Sequence, residues 1–112
     1  MTIEPTQVAR ILIVDDDEAF RVSHAALVEA YGHEPEIASD GFEALAKLIM
    51  EIDLVLLDAD MPHMDGFEVA RRIRSDPVHA HLPIVMVTGL TSNEDRVRAL
   101  ETGINDFINW DF

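Results

Sequence analysis

Residues 11–20, ILIVDDDEAF, run four apolar side chains straight into Asp15, Asp16, Asp17 and Glu18. Like charges this close repel, so the cluster is costly unless a cation sits among it. Two further apolar runs end the same way. DLVLL, 53–57, stops at Asp58, and IVMV, 84–87, stops at Thr88 with Gly89 behind it. If these run ends converge, Asp15, Asp16 and Asp58 form a set of hard oxygen ligands. Mg²⁺, with Mn²⁺ as the other candidate, suits them better than zinc. Asp58, fixed at the end of the most hydrophobic run, is the candidate nucleophile, because a carboxylate can attack a phosphoryl group and form an acyl phosphate. The metal would neutralise charge as that bond forms. The Thr88 hydroxyl could donate to a phosphoryl oxygen, with Gly89 leaving room. Asp60 lies two residues beyond Asp58, where its side chain could influence hydrolysis. Asp17 and Glu18 read instead as first-turn acids favourable to a helix dipole. His24, His33, His63, His79 and His81 read as surface or loop residues.

The elements that must position these groups follow from periodicity. Residues 1–9 are a loose lead-in. Residues 10–14 form a continuously apolar strand of the kind covered on both faces. Asp17 caps a helix to about Tyr31, with Phe20, Ala26/Leu27 and Ala30/Tyr31 as its face and Gly32 at its end. A weak strand at 36–38 and a turn at Asp40-Gly41 precede a helix over 42–49, with Phe42, Leu45, Leu48 and Ile49 as its face. After the strand at 53–57, ADMPHMDG is a loop punctuated by Pro62 and Gly66. A short helix covers 67–74, with Phe67, Ala70/Arg71 and Ile73/Arg74 as its period, and SDPVHAHLP is loop. A strand at 84–87 is followed by a helix over 92–101, with Val97, Leu100 and the Arg96 backbone near its buried side. Gly103 closes it, and 106–109 is a last strand. Strict alternation with short connections implies an open parallel sheet with right-handed crossovers. In such sheets functional groups gather beyond the C-terminal ends of the strands. Five strands with four helices is an odd count. One helix is expected to be missing, supplied by continuation into a longer protein or replaced by a partner surface.

The totals exclude several classes. The chain has 112 residues, 48% of them hydrophobic, enough for one cored domain. Its 22 acidic against 8 basic residues give a formal charge of −14. That field repels nucleic acid and anionic membrane surfaces and attracts metal cations and basic protein surfaces. There is no cysteine, hence no disulfide and no thiol nucleophile. No HExxH pair is present, and no apolar run approaches the roughly 18 residues needed to span a bilayer. MTIEPTQVAR does not read as a signal peptide, so a cytoplasmic location is the default expectation.

At the residues singled out above, the sequence strongly resembles the receiver domain of two-component response regulators. VDDDE at 14–18 is similar to that family's acidic pair, LLDADMPHMDG at 56–66 to its phosphoacceptor loop, and VMVTG at 85–89 to its switch threonine and following small residue. The resemblance runs from about Arg10 to the chain end. It implies a flavodoxin-like fold, a doubly wound five-stranded parallel sheet of order 2-1-3-4-5, with the fifth helix missing here. It implies that Asp15, Asp16 and Asp58 hold the metal with the backbone carbonyl of Asp60. A histidine kinase or phosphotransfer protein would supply the phosphoryl group. Thr88 and Phe107 would act as switch residues that change the surface offered to an output domain or downstream protein.

The sequence departs from the family at NWDF, 109–112, where Trp110 stands in place of the usual lysine and Asp111 in place of the proline. A lysine there supplies positive charge to the phosphoryl group, whereas an indole offers one neutral donor. That motivates a second reading, a pseudo-receiver that binds its partner without phosphorylation. The sheet face left by the missing helix would be its docking surface, and two copies meeting there would give a homodimer. A third reading is a haloacid-dehalogenase-like phosphatase, suggested by DAD at 58–60. Against it stand the absence of a cap segment, of a suitable lysine, and of sufficient length.

Overall fold

The computed structural model describes residues 7–89 and 93–109. Among these residues five strands, β1 (Arg10–Val14), β2 (Glu34–Ala38), β3 (Leu54–Leu57), β4 (Ile84–Thr88) and β5 (Asp106–Asn109), alternate with four helices, α1 (Glu18–Ala30), α2 (Gly41–Lys47), α3 (Gly66–Ser75) and α4 (Asn93–Glu101). The strands form one parallel sheet of order β2-β1-β3-β4-β5. This is the expected doubly wound order.

Continuous apolar strands arise because both faces are covered. Leu12, Val14, Val55, Leu57, Ile84 and Met86 pack into one core with Ala44 of α2, Phe67, Val69, Ala70 and Ile73 of α3, and Ala99 of α4. Ile11, Ile13, Leu54 and Leu56 meet Ala25 and Val28 of α1 on the other face. One helix therefore serves that second face among the described residues.

β2 begins two residues earlier than expected. Pro35, which lacks an N–H donor, is accommodated there because β2 is an edge strand. β3 starts at Leu54 rather than Asp53, whose carboxylate accepts from the Arg10 N–H at 2.8 Å. The expected loop SDPVHAHLP, 75–83, contains a 3-10 turn at Pro77–His79, and its first residue, Ser75, ends α3.

All four helix faces differ in part from expectation. In α1, Leu27 and Tyr31 are exposed; Val28 is buried, and Ala25 packs beside it. Leu27 and Tyr31 border a groove of about 420 Å³ with Ile11, Val28 and Leu56. In α2, Phe42 and Ile49 are exposed while Gly41, Ala44 and Leu48 are buried. The cause is close approach: a Cβ on Gly41 would lie 2.7 Å from Val69 Cγ2 and 2.8 Å from Met64 Sδ. Only small side chains fit that contact, so the large ones turn outward. In α4, Ala99 makes the buried contact, and Val97 and Leu100 are exposed. In α3, Val69 joins Phe67, Ala70 and Ile73 inside, while Arg71 is exposed.

Aspartates start α1, α2 and α3. Asp17, Asp40 and Asp65 accept from Ala19 N, Glu43 N and Glu68 N at 2.9, 2.8 and 2.9 Å. Each cap satisfies a backbone donor that the helix cannot. Part of the acidic excess is therefore structural. Gly32 and Gly103 both take φ of +84°, as helix-ending glycines do.

Candidate functional site

β1 and β3 are neighbours, with Val14 opposite Leu57, and the Asp58 N–H donates to the Val14 carbonyl at 2.9 Å. Their next residues therefore leave the sheet side by side. One carboxylate oxygen from each of Asp15, Asp16 and Asp58 lies within 4.8 Å of the others. Asp15 is buried, Asp58 half-buried and Asp16 exposed. Asp15 Oδ1 accepts from the Asp17 N–H at 2.8 Å, and Asp58 Oδ1 from the Asp60 N–H at 3.3 Å.

Burial, then the neighbouring Asp15 charge, push the Asp58 carboxyl up to about 7. Burial also raises Asp15, opposed by its hydrogen bond from Asp17 and assisted by the charges of Asp16 and Asp17. Carboxylates held this way gain when a hard cation joins them, and an all-oxygen set of this spacing fits Mg²⁺. The Asp60 side chain is exposed.

The loop from Asp58 to α3 is tightly built. Ala59, Met61 and Met64 are buried, and the Gly66 N–H donates to the Ala59 carbonyl at 2.9 Å. A Cβ at Gly66 would sit 2.1 Å from the Asp58 carbonyl oxygen, so the loop closes under Asp58 only with glycine there. In the sequence this residue was legible only as a turn signal.

Thr88 ends β4, one strand from β3 and in register with Asn109 of β5. The Thr88 side chain lies outside the described residues, as does Trp110. Phe107 is half-buried against the main core, with the Arg96 guanidinium 5.9 Å from its ring centroid. Basic side chains on α2 and α4 make contacts of their own. Lys47 lies 3.8 Å from Glu36 and 3.7 Å from Glu43. Arg98 stacks 4.1 Å over the Phe67 ring and reaches Asp65 at 3.3 Å. One cation that sequence reasoning missed does reach the acidic loop: Arg21 Nη1 donates to the Asp15 carbonyl at 2.7 Å.

The response regulator receiver domain model matches residues 11–112. The chain belongs to the response regulator receiver family. It is therefore a phosphoacceptor signalling module of the two-component type. It is 45% identical over 102 residues to the response regulator PleD of Caulobacter vibrioides, covering 89% of this chain and 22% of that protein. It is 42% identical over 100 residues to a gliding motility regulatory protein of Myxococcus xanthus, covering 88% and 13% respectively. The chain thus spans under a quarter of the length of these two relatives. Among solved structures, the chemotaxis protein CheY4 of Vibrio cholerae superposes with a TM-score of 0.89 at 33% identity, covering 95% of this chain and 89% of that one. Membership of this family displaces the dehalogenase-type reading of DAD.

Proposed function

We propose that Asp58 of this receiver domain accepts a phosphoryl group from the phosphohistidine of a histidine kinase or phosphotransfer protein. Asp15, Asp16, Asp58 and the Asp60 carbonyl would hold Mg²⁺. The observation that carries the reading is the convergence of three carboxylates within 4.8 Å, with Asp58 poised near neutrality.

Bound Mg²⁺ supplies charge neutralisation for the incoming phosphoryl oxygens and for the carboxylates themselves. An Asp58 carboxylate oxygen attacks phosphorus as the phosphorus–nitrogen bond of the donor breaks, and the departing imidazole takes up a proton. The Asp60 N–H holds the second Asp58 oxygen, aiming the first. The loop closed by Gly66 keeps Asp58 from turning away. Hydrolysis of the acyl phosphate returns the carboxylate and ends the signal.

Thr88 and Phe107 are the proposed switch, carrying the phosphorylation state to the surface of α4 and β5. Trp110 removes the cation that a family lysine would add, so transmission rests on the remaining contacts. Residues 10–112 are read as the receiver unit of a cytoplasmic signalling protein that passes the change to an output domain or downstream protein.

The test is intact mass after incubation with acetyl phosphate and Mg²⁺, with Asp58→Ala alongside. One phosphoryl adduct that requires metal and is absent from D58A supports the reading. No adduct on folded, Mg²⁺-binding protein favours the phosphorylation-independent module motivated by Trp110, whose partner would bind D58A equally well.

A further inference from the structure

The start of the acidic loop is held from three directions. The Asp15 N–H donates to the Ala38 carbonyl of β2 at 3.1 Å, Asp15 Oδ1 accepts from the Asp17 N–H at 2.8 Å, and the Asp15 carbonyl accepts from Arg21 Nη1 at 2.7 Å. The first two are what a strand end and an aspartate turn supply locally. The third is different in kind. A half-buried arginine in α1 reaches back six residues for a main-chain oxygen.

The oxygen it takes belongs to the peptide joining Asp15 to Asp16. Fixing that oxygen fixes the peptide plane, and so the direction in which Asp16 leaves the chain. Asp15 is packed in place, whereas Asp16 is exposed and has no such packing to hold it. A charge-assisted bond is stronger than a neutral one and suits this task.

We propose that Arg21 is a positioning residue for the metal site, holding the Asp15–Asp16 peptide so that the Asp16 carboxylate converges with Asp15 and Asp58. The inference rests on the reading of that cluster as a Mg²⁺ site. A simpler role makes the opposite prediction. If Arg21 only diluted the negative potential around Asp15, Asp16, Asp17 and Glu18, its removal would tighten Mg²⁺ binding. If it positions Asp16, its removal weakens binding, as loss of the groups that orient metal ligands does.

The experiment is calorimetric titration of Mg²⁺ into the parent, Arg21→Ala, Asp16→Ala and the double variant, each with a cooperative thermal transition in the absence of metal. Arg21→Gln, which retains part of the aliphatic stem but is too short to reach the carbonyl, replaces R21A if that variant does not fold. The expected result is a loss of about tenfold in affinity in the parent background and less than about twofold in the D16A background. Unchanged or tighter binding by the folded Arg21 variant overturns the proposal. So does an equal loss in both backgrounds, because Arg21 would then not act through Asp16. Absence of Mg²⁺ binding by the parent overturns the metal reading itself and this inference with it.

Discussion

Burial and the Asp15 charge lift the Asp58 carboxyl from its ordinary 3.8 to about 7, and the sign of the consequence is definite. Between those values the folded chain keeps a proton that the unfolded chain has released. Stability of the metal-free protein therefore falls as pH rises through that window, and the cost is fully present above about 7. Asp58→Asn removes the ionisation. It should raise the thermal midpoint of metal-free protein at pH 8 by the equivalent of roughly 1 to 2 kcal/mol, discounted for the solvent access of a half-buried group. The advantage should vanish near pH 4, and saturating Mg²⁺ should reverse it by stabilising the parent; melting curves across pH read all three. Gly66 makes a second residue-scale prediction. Gly66→Ala places a Cβ against the Asp58 carbonyl, so it should destabilise by about 1 to 3 kcal/mol and slow acetyl phosphate labelling of Asp58. Asp15, Asp16 and Asp58 were legible in the sequence because each follows an apolar run. Arg21 was not, since a lone arginine on an acidic helix carries no signal until the chain is folded. Gly66 was visible as punctuation, not as the clearance beneath Asp58.

The strands were readable for a physical reason. Parallel strands covered on both sides are apolar at every position, and such runs stand out from their surroundings. Helix faces were less readable. The close contact of α2 with α3 is made at Gly41, and Ala44 and Ala99 are the buried residues beside it and in α4, while Phe42, Val97 and Leu100 are exposed. A pattern that weighs side-chain bulk turns such helices the wrong way. Arg74 is the element-scale counterpart of Arg21. Its guanidinium donates to the Gly103 and His79 carbonyls at 2.9 and 3.1 Å and to Asn105 Oδ1 at 2.7 Å. Asn105 Oδ1 also accepts from the Ile84 N–H at 2.8 Å. One side chain thus ties α3 to the turn after it and to the connection between α4 and β5. Arg74→Ala should cost about 2 kcal/mol, measured by denaturant unfolding. It should leave Mg²⁺ affinity nearly unchanged, because the contacts it breaks lie away from the Asp15–Asp58 cluster.

The whole molecule carries a formal charge of −14. Some of its acids cap helices and three meet at the site, but the sum still repels itself. Monovalent salt should therefore raise the thermal midpoint of metal-free protein by screening. Mg²⁺ at equal ionic strength should raise it further in the parent than in D58N, since binding to the folded state alone adds stability that excess chelator removes. A salt effect with no added Mg²⁺ effect would mean the cluster binds no metal specifically. The most direct test of the central claim locates the phosphoryl group chemically. Protein treated with acetyl phosphate and Mg²⁺ is reduced with borohydride, which converts an aspartyl phosphate to homoserine, then digested and sequenced by mass spectrometry. Homoserine at position 58, absent without Mg²⁺, is the predicted result; a modified residue elsewhere, or an unmodified Asp58 in folded protein, would contradict the account.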